Sequence, residues 1–194
     1  MGTLSDFSRI VADTVSAMGH SEFSRVLSDG VQELMSADDI SLIRYYQSGA
    51  PTIEYTGVPK RRGKTTLNRY VKGPFLLDPF YRAASVHRQY GVFKLSTLAP
   101  TGFKESEYFR TWYHNCGFTD ECGMLVKLDD GFVNLALGMT DSGRRFTKRH
   151  IDRLRVIFPA IEALIRQHWA AVPPATAKSD LRNHLHSALG AFGS

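Results

Sequence analysis

The stretch Gly57-Val-Pro-Lys-Arg-Arg-Gly63-Lys64-Thr65 carries glycines, a lysine and a hydroxyl in the order a phosphate-binding loop uses, after a strand-like run and before a helical one. A phosphate cradle needs four residues between its glycines, because the nest of backbone N–H groups has a fixed size. Here five residues intervene, and one is Pro59, which has no N–H to give. The stretch reads as an exposed basic loop, and nucleotide hydrolysis is set aside. Metal chemistry finds no firmer footing. His184 and His186 lie near the C-terminus without a Cys or carboxylate at ligand spacing, and His20, His87, His114, His150 and His168 are scattered. Cys116 and Cys122 do not form a Cys-x-x-Cys pair, and no Gly-x-Ser-x-Gly elbow exists. Both cysteines read as small core residues, with redox sensing as the alternative. An enzyme built on Cys122 or on the basic loop has no constellation behind it. The expectation is a protein without catalysis, cofactor or metal.

Recognition is better supported than reaction. In the run Phe132 to Thr140, strand alternation puts Val133, Leu135, Leu137 and Met139 on one face and Phe132, Asn134, Ala136 and Gly138 on the other. The second face is small past its first residue. It leaves room for a packed helix or for a ligand, and Asn134 offers a polar anchor there. Aromatic residues are plentiful nearby in the chain: Tyr45, Tyr55, Tyr70, Phe80, Tyr81, Tyr108, Trp112 and Tyr113. Tyrosines pair an apolar body with a polar tip and suit a mid-sized organic ligand.

The elements that must position these residues follow from periodicity. Phe7, Ile10, Val11, Val15 and Met18 recur at helical spacing and Gly19 ends the run. Ser21 is placed to cap a second helix carrying Phe23, Val26, Leu27, Val31, Leu34 and Met35. Ile40 to Tyr46 and Thr52 to Thr56 read as a hairpin about Gly49-Ala50-Pro51. Leu67 to Val71 reads as a short helix. Asp78 caps another turn with Pro79 at its first position, and Val92 to Leu95 reads as a short strand. Phe103 to Asn115 reads as one aromatic helix. Phe118 to Leu128 and Phe132 to Thr140 form a second hairpin about Asp129-Asp130-Gly131. Thr147 to Trp169 is a long helix with Ile151, Leu154, Ile157, Phe158, Ile161, Leu164, Ile165 and His168 on one broad stripe, and Pro159 is expected to bend it. The predominance of hairpins predicts an α+β fold, an antiparallel sheet flanked by helices on both faces, of the PAS/GAF-like sandwich kind.

Composition bounds the rest. The chain has 194 residues, 43% hydrophobic and 22% charged, which suits one globular domain with short attachments and excludes wholesale disorder. Net charge is +5, from 24 Lys and Arg against 19 Asp and Glu. The basic residues concentrate at Lys60, Arg61, Arg62, Lys64, Arg69 and Lys72, and again at Arg144, Arg145, Lys148, Arg149, Arg153 and Arg155. Both clusters read as solvated faces. No window of 18 apolar residues exists, and the acids Asp6 and Asp13 argue against a secretory signal, so a cytoplasmic protein without membrane contact is expected.

Two sets of motifs carry a family resemblance. Tyr70, followed after eight residues by Asp78-Pro79, is similar to the autoinducer-binding domains of LuxR-type transcription regulators, with Thr66 where that family carries Trp. Leu76-Leu-Asp-Pro-Phe-Tyr81, Leu98-Ala-Pro100, Tyr108-Phe-Arg-Thr-Trp112-Tyr113 and Gly117-Phe-Thr-Asp-Glu121 resemble the sensor regions of such regulators, as does the ending from Leu154 to Trp169. The resemblance implies a sensor for a small organic effector, in which Tyr70 and Asp78 hydrogen-bond the ligand. Tyr81 and Trp112 are expected as aromatic walls, Asn134 as part of the sheet floor, and Tyr45 and Tyr55 as further lining. It also implies a homodimer whose interface uses the Thr147 to Trp169 stripe, with or without Phe7 to Met18; core packing within the chain is the competing use of that stripe. The expected division is residues 1–169 as a ligand-sensing and dimerisation domain and 170–179 as a linker. Residues 180–194 would open a helix leading to an absent helix-turn-helix domain, through which alone DNA would be contacted. A ligand-free dimerisation or protein-interaction module is the alternative.

Overall fold

The computed structural model describes residues 3–57, 69–114, 117–140 and 143–171, apart from the side chains of Thr111 and Trp112. The basic loop at Gly57 to Thr65 past its first residue, Cys116, the expected linker and the expected final helix with His184 and His186 lie outside the described residues.

Two amphipathic helices come first, α1 (Leu4–Ser16) and α2 (Phe23–Met35). Thr3 and Asp6 close a capping box on α1, each side chain accepting from the other's backbone N–H. The cap expected of Ser21 is not what starts α2: Glu22 occupies the N-cap in helical conformation with no side-chain cap bond. Helical backbone at that position turns the chain directly out of the preceding turn, and Phe23, wholly buried, fixes the entry.

Five strands follow: β1 (Asp39–Tyr46), β2 (Thr52–Thr56), β3 (Gly91–Lys94), β4 (Asp120–Leu128) and β5 (Gly131–Met139). They form one antiparallel sheet in the order β2-β1-β5-β4-β3. The expected hairpin about Asp129 and Asp130 closes on the pair Leu128–Gly131. A Cβ on Gly131 would stand 1.9 Å from the Tyr45 carbonyl oxygen, so only glycine lets β1 and β5 approach there.

One face of the sheet packs on α1, α2 and the long helix α5 (Lys148–Ala171). Val133, Leu135 and Leu137 of β5 are fully buried against Leu27, Val31, Leu154, Ile161 and Ile165. The apolar stripe of α5 is therefore taken up by the chain's own core. What α5 and α1 leave exposed is Val156 on the former and Leu4 and Val15 on the latter. Pro159 lies inside α5 without ending it, on the solvent side. Lys94 ties this helix to the sheet: its Nζ reaches Asp120 at 2.9 Å and donates to the Phe146 carbonyl, while the Phe146 N–H donates to Asp120.

The other face carries a second layer of short elements, α3 (Pro79–Ser85), the single turn α4 (Leu95–Leu98) and several tight turns. The expected single helix from Phe103 to Asn115 is broken into a 3-10 turn at Phe103–Glu105 and a π-helical turn at Phe109–Tyr113. Ser106 makes the break: its backbone is extended, and its hydroxyl accepts from the Phe109 N–H at 3.1 Å. No described helix is long and apolar enough to cross a membrane.

Candidate functional site

Strand register decides what faces the second layer. The rows run Asp39–Gly138–Glu121, Ser41–Ala136–Gly123, Ile43–Asn134–Leu125 and Tyr45–Phe132–Lys127 across β1, β5 and β4. The middle of this surface is small, as alternation along β5 predicts. Its edges are aromatic at one end and acidic at the other.

At the aromatic end stands Asp78. Its backbone is extended and Pro79 follows, so it caps α3: Oδ1 accepts from the Phe80 N–H at 2.8 Å. Oδ2 accepts from the Tyr70 hydroxyl at 2.6 Å. The Tyr81 backbone N–H and the Tyr108 hydroxyl also bond this carboxyl. Tyr70 has one hydroxyl proton and gives it to Asp78, so the short contact between the Tyr45 and Tyr70 hydroxyls must have Tyr45 as donor. The proton order is thus fixed, Tyr45 to Tyr70 to Asp78. Burial pushes the Asp78 carboxyl up from the ordinary range, and its hydrogen bonds pull the other way. Burial, with the Asp78 charge second, pushes both tyrosines well above their usual value.

Aromatic rings build a wall around this chain of hydroxyls. Phe132 stacks on Tyr45 with centroids 4.5 Å apart and an interplanar angle of 14°. Tyr81 lies 5.3 Å from Tyr45 and meets Phe75 edge-on at 5.1 Å. Tyr45, Tyr70, Tyr81, Asp78 and Asn134 are therefore gathered on one face of the sheet. Tyr55 is not with them. A register shift in the β1–β2 ladder pairs it with Leu42 on the helix side, where its hydroxyl donates to Asp29 of α2; burial, then that bond, pushes its pKa up to about 12. The side chain of Trp112 lies outside the described residues.

The small middle of the sheet is less tightly covered than its reverse face by the described residues. Ala136, at the centre of the central strand, keeps 8% exposure and Ser41 beside it 9%, whereas Val133, Leu135 and Leu137 on the reverse face keep none. Asn134 leans over Gly123: a Cβ on that glycine would lie 2.6 Å from Asn134 Oδ1 and 2.9 Å from the Phe80 ring. Asn134 is 1% exposed, and its Oδ1 has no hydrogen-bond partner. Phe118 covers Gly138 in the same way.

At the acidic end, Asp39 and Glu121 flank Gly138, and neither residue was singled out from the sequence. Asp39 is 7% exposed with Oδ1 unpartnered, and burial raises its pKa to about 6. Glu121 is pushed well above the carboxylate range by burial, then by the Asp78, Asp39 and Asp120 charges. Their phase was the available signal: Glu121 alternates with Gly123, and Asp39 with Ser41, on the face that also carries Ala136.

The described residues contain no group of three His, Cys, Asp or Glu placed for a metal ion. Cys122 is wholly buried on the helix side, and burial pushes its thiol up, the opposite of what a reactive thiolate needs.

No protein-family model matches this sequence. A putative HTH-type transcriptional regulator of Aeromonas salmonicida is 30% identical over 103 residues, 53% of this chain and 52% of that protein. The chain spans about half the length of this curated relative. Among solved structures, the VqsR LBD domain from Pseudomonas aeruginosa superposes with a TM-score of 0.74 at 23% identity, over 86% of this chain and 98% of that one. The N-acylhomoserine lactone-dependent LuxR family transcription factor CepR2 from Burkholderia cenocepacia gives 0.54 at 14%, over 84% and 93%. A phycoerythrobilin-bound GAF domain from a cyanobacterial phytochrome gives 0.58 at 12%, over 88% and 97%. The fold is that of LuxR-type sensor domains and GAF domains, the α+β sandwich expected from the hairpin order.

Proposed function

We propose that this chain is the ligand-sensing and dimerisation part of a LuxR-type transcription regulator. A small organic effector binds between the sheet and the layer of short helices. The observation that carries this reading is the buried, unpartnered Asn134 Oδ1 beside the small floor residues Ser41 and Ala136, all within an aromatic layer. A buried polar atom without a partner costs stability unless something fills the place. The relative from Aeromonas salmonicida supports the regulatory context, and CepR2, named as N-acylhomoserine lactone-dependent, supports a small organic ligand in this fold.

Binding acts by population shift: an effector that prefers one arrangement of the second layer shifts the chain toward it. The lysine latch from Lys94 to Asp120 and Phe146 gives that arrangement a route to the start of α5. Residues 170–179 then act as a linker and 180–194 as the start of a helix joining a DNA-binding domain. Dimerisation uses the outer sides of α1 and α5, where Leu4, Val15 and Val156 are exposed. The protein works in the cytoplasm without a cofactor and without catalysis.

Native mass spectrometry of the purified chain tests this reading. A twofold mass carrying a stoichiometric small molecule is expected. A bare dimer that no small organic molecule loads would favour a ligand-free interaction module, and a bare monomer would contradict both.

A further inference from the structure

The floor has a chemical bias. Three side chains with unmet hydrogen-bonding capacity face it from one side of the sheet. Asn134 is 1% exposed with an unpartnered Oδ1, Asp39 is 7% exposed with an unpartnered Oδ1, and the half-buried Glu121 carboxyl makes no hydrogen bond with a described residue. Asn134 flanks Ala136 on one side along β5, and Asp39 and Glu121 flank the next residue on that face, Gly138, which Phe118 covers. Two of the three are carboxyls, which accept hydrogen bonds when ionised and offer no donor.

Nothing among the described residues supplies the missing donors. Lys94 points to the other side of the sheet, held by Asp120 and the Phe146 carbonyl. Arg144 is committed to Asp38 and to the Ser36 carbonyl. Ser41 spends its hydroxyl proton on Thr56. Asp78 already receives four donors and has no capacity left for a ligand. The polar demand of the layer is therefore at the acidic end, away from the Tyr70–Asp78 pair. A buried carboxyl left unpaired is costly, and a fold that only needed packing would place an apolar residue there.

We propose that the effector carries a cationic, hydrogen-bond-donating head, a primary ammonium or an amidine-type group, held over Ala136 between Glu121, Asn134 and Asp39. Its body extends toward the Tyr45, Phe132 and Tyr81 wall, which favours an aromatic or otherwise flat apolar group. This inference rests on the sandwich being a ligand site and names the class of molecule that site takes.

The test uses matched probes on the whole chain: tyramine and phenethylamine, the N-acetyl form of each, and neutral acyl-homoserine lactones. Affinity is read by calorimetry and by thermal shift. A primary amine is expected to bind at least tenfold more tightly than its N-acetyl form, and Glu121→Gln is expected to lower its affinity at least tenfold. Glu121→Gln without ligand is expected to melt no lower than the parent, because the Glu121 carboxyl makes no hydrogen bond with a described residue that the substitution would break. A fall in the ligand-free melting temperature would mark Glu121 as structural and overturn the proposal. So would tight binding of a neutral probe that Glu121→Gln leaves unchanged, although that result would leave the sensor reading standing. Failure of every probe, charged and neutral, would count against both.

Discussion

Tyr70 donates its hydroxyl proton to Asp78 across 2.6 Å in the buried second layer, and this single bond orders the whole polar chain above the sheet. Because Tyr70 has no second proton, Tyr45 must donate to it, which turns a strand residue, a helical residue and a helix cap into one unit. The motif residues that suggested ligand anchors thus also hold the layer to the sheet.

Removal of the middle member should cost more than removal of the end. Tyr70→Phe leaves Asp78 short of a donor and Tyr45 without an acceptor, a loss of about 1–3 kcal/mol for buried groups left unpaired. Tyr45→Phe removes only the terminal donor and should cost about 0.5–1.5 kcal/mol in hydrogen bonding. Denaturant midpoints at constant slope report both. A Tyr70→Phe variant as stable as the parent would break the account of the chain.

Asp78→Ala removes the α3 cap together with the acceptor for Tyr70 and Tyr108. A cap alone is worth about 1 kcal/mol, and the buried network adds to it, so a loss of about 2–4 kcal/mol is expected. Hydrogen exchange at Phe80 and Tyr81 should speed up more than exchange in β5. Equal effects on both would show that Asp78 acts on the fold as a whole.

The floor can be closed from below. A methyl at Gly123 would fall 2.6 Å from Asn134 Oδ1 and 2.9 Å from Phe80, so both must move into the space above Ala136. Gly123→Ala should lower stability by about 1–3 kcal/mol through overpacking. It should also abolish small-molecule binding while the chain stays folded by circular dichroism. Retained binding would place the ligand elsewhere.

Asp39 predicts a pH dependence with a definite sign. Burial pushes its carboxyl up to about 6 in the folded chain, from 3.8 for a free aspartate. A raised carboxyl favours folding while protonated, so its contribution is fully present below about pH 4 and is lost as pH rises through 6. Asp39→Asn, which cannot ionise, should gain on the parent over that window by up to about 3 kcal/mol. His168 works in the opposite direction. Burial, with the Arg44 charge second, holds it down to about 4, so stability falls as pH drops from 6.5 through 4. Melting curves of parent, Asp39→Asn and His168→Gln between pH 4 and 8 separate the two. A constant offset between parent and Asp39→Asn would contradict the assignment.

The fold was largely legible where one periodicity ruled. Alternation from Phe132 to Met139 sorted the two faces of β5 correctly, because each strand position has only two directions to choose from. Asp78-Pro79 marked the start of α3, because a cap is a local device. Tyr55 escaped because a register shift between Leu42 and Ile43 turns it to the helix side, and no local pattern announces a bulge. The Phe103 to Asn115 helix escaped because Ser106 hydrogen-bonds the backbone in competition with the helix. Asp39 and Glu121 escaped for another reason: the two meet only through Gly138, roughly a hundred residues along the chain from one and seventeen from the other, and pairing across three strands is tertiary information.

The central claim is that a small organic molecule occupies the space over Ala136. The most direct measurement is a thermal-shift titration of parent and Gly123→Ala side by side, using a panel of amines, N-acyl amines and acyl-homoserine lactones. The account predicts a saturable rise in the parent, close to 2.7 kcal/mol of stabilisation at about a hundredfold excess over Kd, and no rise in Gly123→Ala. Equal shifts in both chains, or none in the parent, would contradict it.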